Sequence, residues 1–109
     1  MKSATESNRN VSVLLDRIVS ALAPEAVYLF GSRARGEETA GSDYDLLVVV
    51  PDETPAENIR LTHTCALSRG TGIPADVIAC RRSWFEQGRD QVGTLSYKAV
   101  REGILVHGA

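Results

Sequence analysis

Apolar residues recur at three- and four-residue intervals near the start of the chain, at Val11, Leu14, Leu15, Ile18, Val19 and Leu22. That spacing puts them on one face of an amphipathic helix, predicted over about residues 8–22. Pro24 closes it, and residues 1–9, polar and without this period, are read as a frayed start. The period then shortens. Val27 to Phe30 is a brief apolar run stopped by Gly31, and Asp45 to Val50 is a second run closed by Pro51; both read as strands. The glycines, charges and small residues of 33–42 read as a loop. Thr54-Pro55-Ala56-Glu57 combines a capping threonine, a first-turn proline and a capping-box glutamate, which predicts a helix running to about Arg69 and ended by Gly70 and Gly72. Ala75 to Cys80 reads as a third strand. Ser83-Trp84-Phe85-Glu86 repeats the capping-box pattern, a last helix covers about Thr94 to Glu102, and Ile104-Leu105-Val106 offers an edge strand.

The order is α-β-β-α-β-α-α. The second and third strands are linked through a helix, so they should be parallel with a right-handed crossover. The first two are joined by a loop without a full helix, so antiparallel pairing is expected. The fold class is α/β (α+β), a small mixed sheet with helices packed on one face. This topology brings the end of the first strand and the starts of the second and third to one rim, where Gly31, Ser32, Asp43, Asp45 and Asp76 converge. Side chains alternate faces along a strand, so Asp43 and Asp45 point the same way and Tyr44 points into the core on the other side. Paired carboxylates repel unless a positive group lies between them, and a divalent cation with oxygen ligands is the usual solution.

Composition narrows the reading. The 109 residues suggest one domain, spanning 1–109, and 43% hydrophobic with 24% charged residues is ordinary for a globular chain. A net charge of −2 argues against indiscriminate binding to nucleic acid or an anionic membrane. No apolar run approaches the ~20 residues of a membrane helix. Met1 to Asn10 lacks the apolar region of a signal peptide, so a cytoplasmic protein is expected. Cys65 and Cys80 are accordingly read as reduced, buried thiols. His63 and His107 have no metal spacing with them, and His63 is placed on an exposed helix face. Trp84 and Phe85 are read as core anchors, Tyr97 as packing, and Arg81-Arg82 as a solvated turn.

Gly31-Ser32, Ala34-Arg35-Gly36 and Ser42-Asp43-Tyr44-Asp45-Leu46 resemble the signature of the DNA polymerase beta-like nucleotidyltransferase superfamily, and the small size points to its minimal, MNT-type members. Asp76 stands where that family places its third carboxylate. Arg101-Glu102-Gly103-Ile104-Leu105-Val106 is similar to the family's ending, with His107 where Tyr is common. The resemblance implies the polymerase beta palm-like fold and a magnesium-dependent nucleotidyl transfer. It implies two Mg²⁺ ions on Asp43, Asp45 and Asp76, with Asp76 also orienting the acceptor hydroxyl or taking its proton. It implies ATP or another NTP held by Gly31, Ser32, Arg33, Arg35 and Ser42, with either arginine facing the phosphates. It further implies a small helical HEPN-type toxin as partner, silenced by transfer of AMP to a tyrosine, so that the chain acts as antitoxin in a homo- or hetero-oligomer. Two other readings stand beside it. One is a binding module that blocks its partner by contact; the other, less favoured for want of an acceptor domain, is transfer to an antibiotic or other small molecule.

Overall fold

The computed structural model describes residues 2–31, 44–60, 64, 66–69 and 75–108, with residues 2–11 described by their backbone alone. Helix α1 spans Lys2–Leu22. It starts ahead of the position that apolar spacing predicts, because Lys2 to Ser7 contains no glycine or proline and every residue there tolerates helix. Leu14, Ile18 and Leu22, one turn apart, are its buried stripe. The helix ends at Ala23, which adopts a left-handed φ of 47° and whose amide donates to the Val19 carbonyl at 3.0 Å. Pro24 bars further helix.

Four strands follow: β1 (Ala26–Phe30), β2 (Tyr44–Val50), β3 (Ala75–Arg81) and β4 (Ile104–Gly108). Their order in the sheet is β3-β2-β1-β4. β1 pairs antiparallel with β2 and β2 parallel with β3, as the connections predict, and the C-terminal run does add an edge strand, antiparallel to β1. β2 is buried along nearly its whole length because it is central and covered twice. Leu46, Val48 and Val50 join Val27, Leu29 and Val77 beneath α1. Leu47 and Val49 join Phe30 and Cys80 beneath two further helices, α2 (Arg82–Gly88) and α3 (Leu95–Glu102), through Phe85 and Ala99. The mixed sheet is as expected, but helices lie on both faces of it and not on one. A run of five aliphatics in β2 presents apolar side chains on each side, and each side needs cover.

Two predicted helix starts form differently. No continuous helix runs from Thr54 to Arg69: a 3-10 turn covers Ala56–Ile59, and Arg60 is extended at φ −65° and ψ 144°. Helical bonding resumes only afterwards, with the Thr64 amide on the Arg60 carbonyl at 3.0 Å. Thr54 caps nothing by its side chain; it is buried, and its carbonyl accepts from Arg81 Nη2 at 3.0 Å. At α2 the Ser83 hydroxyl is likewise not the cap. The Ser83 amide donates to Asp52 Oδ1 at 2.9 Å, so a carboxylate from the loop after β2 satisfies the helix start. Thr94 caps α3, its hydroxyl oxygen accepting from the Tyr97 amide at 3.1 Å.

Phe85 is a core anchor, stacked on Tyr28 at 5.5 Å between ring centroids. Trp84 is not; it is 51% exposed. One turn of a short helix cannot point two consecutive residues inward. Tyr97 is half-buried and carries the Arg101 guanidinium 5.0 Å above its ring. Cys80 is a buried free thiol, as expected, while Cys65 and His63 lie outside the described residues.

Candidate functional site

The rim foreseen from topology forms at the C-terminal end of β1 and the N-terminal ends of β2 and β3. Phe30, the last residue of β1, is the register partner of Asp45, and Asp45 is the register partner of Asp76. Neighbouring strands lie about 4.8 Å apart, and residues in register project to the same face. The two carboxylates are therefore adjacent on the face that carries Leu47, Val49 and Cys80. Asp45 is half-buried and Asp76 exposed. Tyr44 turns the other way and is 5% exposed within the α1 core, as the alternation predicts.

Gly31 makes the closest approach. It follows β1 with φ of 84°, a conformation that L side chains rarely adopt. A methyl group built on it would overlap Asp45 Oδ2. Glycine is needed here twice over, for the bend and for room beside the carboxylate. Turn and acid, 14 positions apart in sequence, are thus in van der Waals contact.

Gly31, Asp45 and Asp76 are brought together. Ser32, Arg33, Arg35, Ser42 and Asp43 lie outside the described residues. Among the described residues no group of three His, Cys, Asp or Glu side chains is assembled to hold a metal. Asp45 and Asp76 supply a pair of hard oxygen donors on one face, a donor set suited to Mg²⁺ in kind. Cys80, two strand positions beyond Ile78 on that same face, is an unreactive neighbour: burial pushes its thiol from 9.0 up to about 12. Among the described residues no helix is long and apolar enough to cross a membrane.

The model of the nucleotidyltransferase domain matches residues 11–105, nearly the whole chain. The chain belongs to the nucleotidyltransferase domain family. Solved structures share this nucleotidyltransferase fold. A chain of a toxin–antitoxin complex crystallised with AMP-PNP superposes with a TM-score of 0.65 at 20% identity, over 90% of this chain and 73% of that one. A Sulfolobus solfataricus protein assigned as a nucleotidyltransferase superposes with a TM-score of 0.59 at 27% identity, over 96% of this chain and 86% of that one. No curated protein matches the chain in sequence. The mixed sheet is therefore that of a nucleotidyltransferase domain, and the strand directions read from the sequence place Gly31, Asp45 and Asp76 at one rim of it. Strand topology had already set Gly31 and Asp45 at one rim; their direct contact is a finding of the structure. Trp84, exposed on the helix that follows the C-terminal end of β3, was hidden by its own residue type, since a tryptophan next to a phenylalanine reads as core.

Proposed function

We propose that this nucleotidyltransferase domain transfers AMP from ATP to a hydroxyl of a protein partner, a tyrosine of a small helical HEPN-type toxin, and so acts as an antitoxin. The observation that carries the reading is the contact of the Gly31 bend with the Asp45 carboxylate, with Asp76 in register beside it. The toxin–antitoxin likeness supports the biological setting. In this reading Asp43, Asp45 and Asp76 hold Mg²⁺. Gly31, Ser32, Arg33, Arg35 and Ser42 hold the triphosphate. When bound, the metal lowers the pKa of the attacking hydroxyl and offsets charge on the leaving pyrophosphate.

The chain's own residues do the rest. The bare Gly31 backbone leaves room for the Asp45 carboxylate against the bend at which the triphosphate is held. Asp76, exposed at the rim, orients the acceptor hydroxyl and accepts its proton. The acceptor oxygen bonds to the α-phosphorus as the α–β anhydride bond breaks. Pyrophosphate leaves, and the proton passes from Asp76 to solvent.

The test uses α-labelled ATP, Mg²⁺ and the co-expressed product of the neighbouring reading frame. Wild type should label the partner, whose mass should rise by one AMP. Asp45→Asn and Asp76→Asn should each cut labelling by about 100-fold or more, the scale of a lost metal ligand or base. Unchanged labelling in both variants rejects this site. Full neutralisation of the partner by the double variant, without labelling, would instead establish the binding-module alternative.

A further inference from the structure

Arg81 and Arg82 stand side by side where β3 gives way to α2, and their surroundings differ. Arg82 is neutralised, with Glu25 Oε1 3.3 Å from its Nη1 and Glu86 Oε2 3.9 Å from its Nε. Arg81 meets neutral acceptors instead. Its Nε donates to the Asp52 carbonyl at 3.2 Å and its Nη2 to the Thr54 carbonyl at 3.0 Å. A guanidinium carries five N–H donors, so three are left over. Among the described residues no carboxylate pairs with it. Asp52 is no exception, since its Oδ1 accepts from the Ser83 amide at 2.9 Å. Arg81 is half-buried, and a charge partly withdrawn from water gains most from a partner.

Arg81 forms one wall of a groove of about 520 Å³, a size that suits a small molecule. The other walls are Ile59, Ile78, the Trp84 indole, the Ser83 hydroxyl and the Cys80 thiol. The thiol brings no opposing charge, because burial pushes it up to about 12. The groove is separate from the carboxylate rim. Asp76 is the second residue of β3 and Arg81 the last, five positions or about 16 Å further along. One unneutralised cation, one hydroxyl and an apolar slot with an indole in it define their complement: a single anion on a flat apolar body. A carboxylate meets the planar fork of a guanidinium in two parallel bonds, and an aromatic ring stacks on an indole. A di- or triphosphate would bring several charges to this one guanidinium, and a sugar would leave hydroxyls against the two isoleucines.

We propose that this groove is a second ligand site, remote from the transferase rim, that takes an aromatic carboxylate. The ring lies among Ile59, Ile78 and the Trp84 indole, and the carboxylate accepts from the spare N–H groups of Arg81 and from the Ser83 hydroxyl. The site stands independently of the transferase reading, and its test requires no turnover.

Trp84 is the one tryptophan of the chain, so its indole N–H gives a single side-chain signal in a proton–nitrogen correlation spectrum. The full chain is titrated with 2-naphthoate, with 2-naphthamide (the same ring without the charge) and with acetate (the charge without the ring). 2-Naphthoate should move that signal saturably, with a Kd below about 1 mM. The amide should bind at least tenfold more weakly, and acetate should leave the signal in place. Arg81→Gln should weaken 2-naphthoate about tenfold and leave the amide unchanged, as expected for a lost charge-assisted pair. Ser83→Ala keeps the main-chain bond to Asp52 and the melting temperature, and should weaken 2-naphthoate about threefold, so the test survives if Arg81→Gln fails to fold. Saturating MgATP should leave the Kd of 2-naphthoate unchanged. No saturable shift up to about 5 mM, equal affinity for acid and amide, or displacement by MgATP each overturns the proposal; the last would join the groove to the nucleotide site. Asp45→Asn should abolish transfer yet keep the 2-naphthoate response, so failure of the chemistry and failure of the groove are read separately.

Discussion

Gly31 concentrates two demands in one residue. Its left-handed φ and its contact with Asp45 both exclude a Cβ. Gly31→Ala should therefore displace the Asp45 carboxylate and lower nucleotidyl transfer by about 100-fold, since an error of even 1 Å in placement carries that scale. Transfer assays beside a melting curve check this, because a folded but inactive variant is the expected outcome. Cys80 makes a prediction of opposite kind. Its folded pKa, about 12, lies above the unfolded value of 9.0, so the folded state holds its proton more tightly. The stability this represents is present below pH 9 and is lost as pH rises from 9 toward 12. Cys80→Ala should flatten that alkaline decline in denaturant titrations. At pH 8 native protein should resist alkylation at Cys80, read by peptide mapping. Ser96 is fully buried, and its Oγ has no hydrogen-bond partner among the described residues. Ser96→Ala should hold or raise stability by about 1 kcal/mol, against the usual direction for a core change. Of these features Gly31 was legible beforehand because it belongs to a motif, and the burial of Cys80 because its neighbours in the run are apolar. The burial of the Ser96 hydroxyl depends on how its helix packs, and no local pattern encodes that.

At the scale of elements, strands were more legible than helices. The apolar runs of β1, β2 and β3 end at Gly31, Pro51 and a capping-box start, and the structure ends them close to those positions. Cap chemistry was less dependable, because a cap can come from anywhere in the chain. The Thr54 box yields only a 3-10 turn, and at the Ser83 box the helix start takes a long-range partner, Asp52 accepting from the Ser83 amide. Asp52→Ala should cost about 1 kcal/mol by removing the cap of α2, while Asp52→Asn, which keeps an acceptor oxygen, should cost less. Urea titration of the pair distinguishes a cap from a simple charge effect. Ala23 is the converse case, an L-residue in a left-handed cap. Ala23→Gly should relieve about 1 kcal/mol of strain, partly offset by unfolded-state entropy.

For the whole molecule, the chain order alone implied how the strands pair. A helical crossover required β2 and β3 to run together, and the non-helical link between β1 and β2 set them opposed. The rim followed from those two directions. What chain order did not reveal was the second helical layer, which depends on α2 and α3 folding back over Leu47 and Val49. Ligand linkage gives a global test of the rim. MgATP at about 100 times its dissociation constant adds about 2.7 kcal/mol to a domain that binds it only when folded. For a chain of this size that should raise the melting temperature by roughly 10 °C or more. Asp45→Asn should remove most of the increase.

The aliphatic run of β2 has a further consequence. Leu46 and Leu47 are the same residue on opposite faces, and Val48, Val49 and Val50 are interchangeable to the layers above and below. Moved along by a single position, the strand would still bury nearly as much hydrocarbon, so oil-drop energetics distinguish poorly between the two alignments. Tyr44 and Asp45 are not interchangeable: one must enter the core and the other must meet a glycine. The pair that begins the strand therefore acts as its index mark. A chain that lost the acid would be expected to show amide-exchange heterogeneity along β2 as well as silence in the assay.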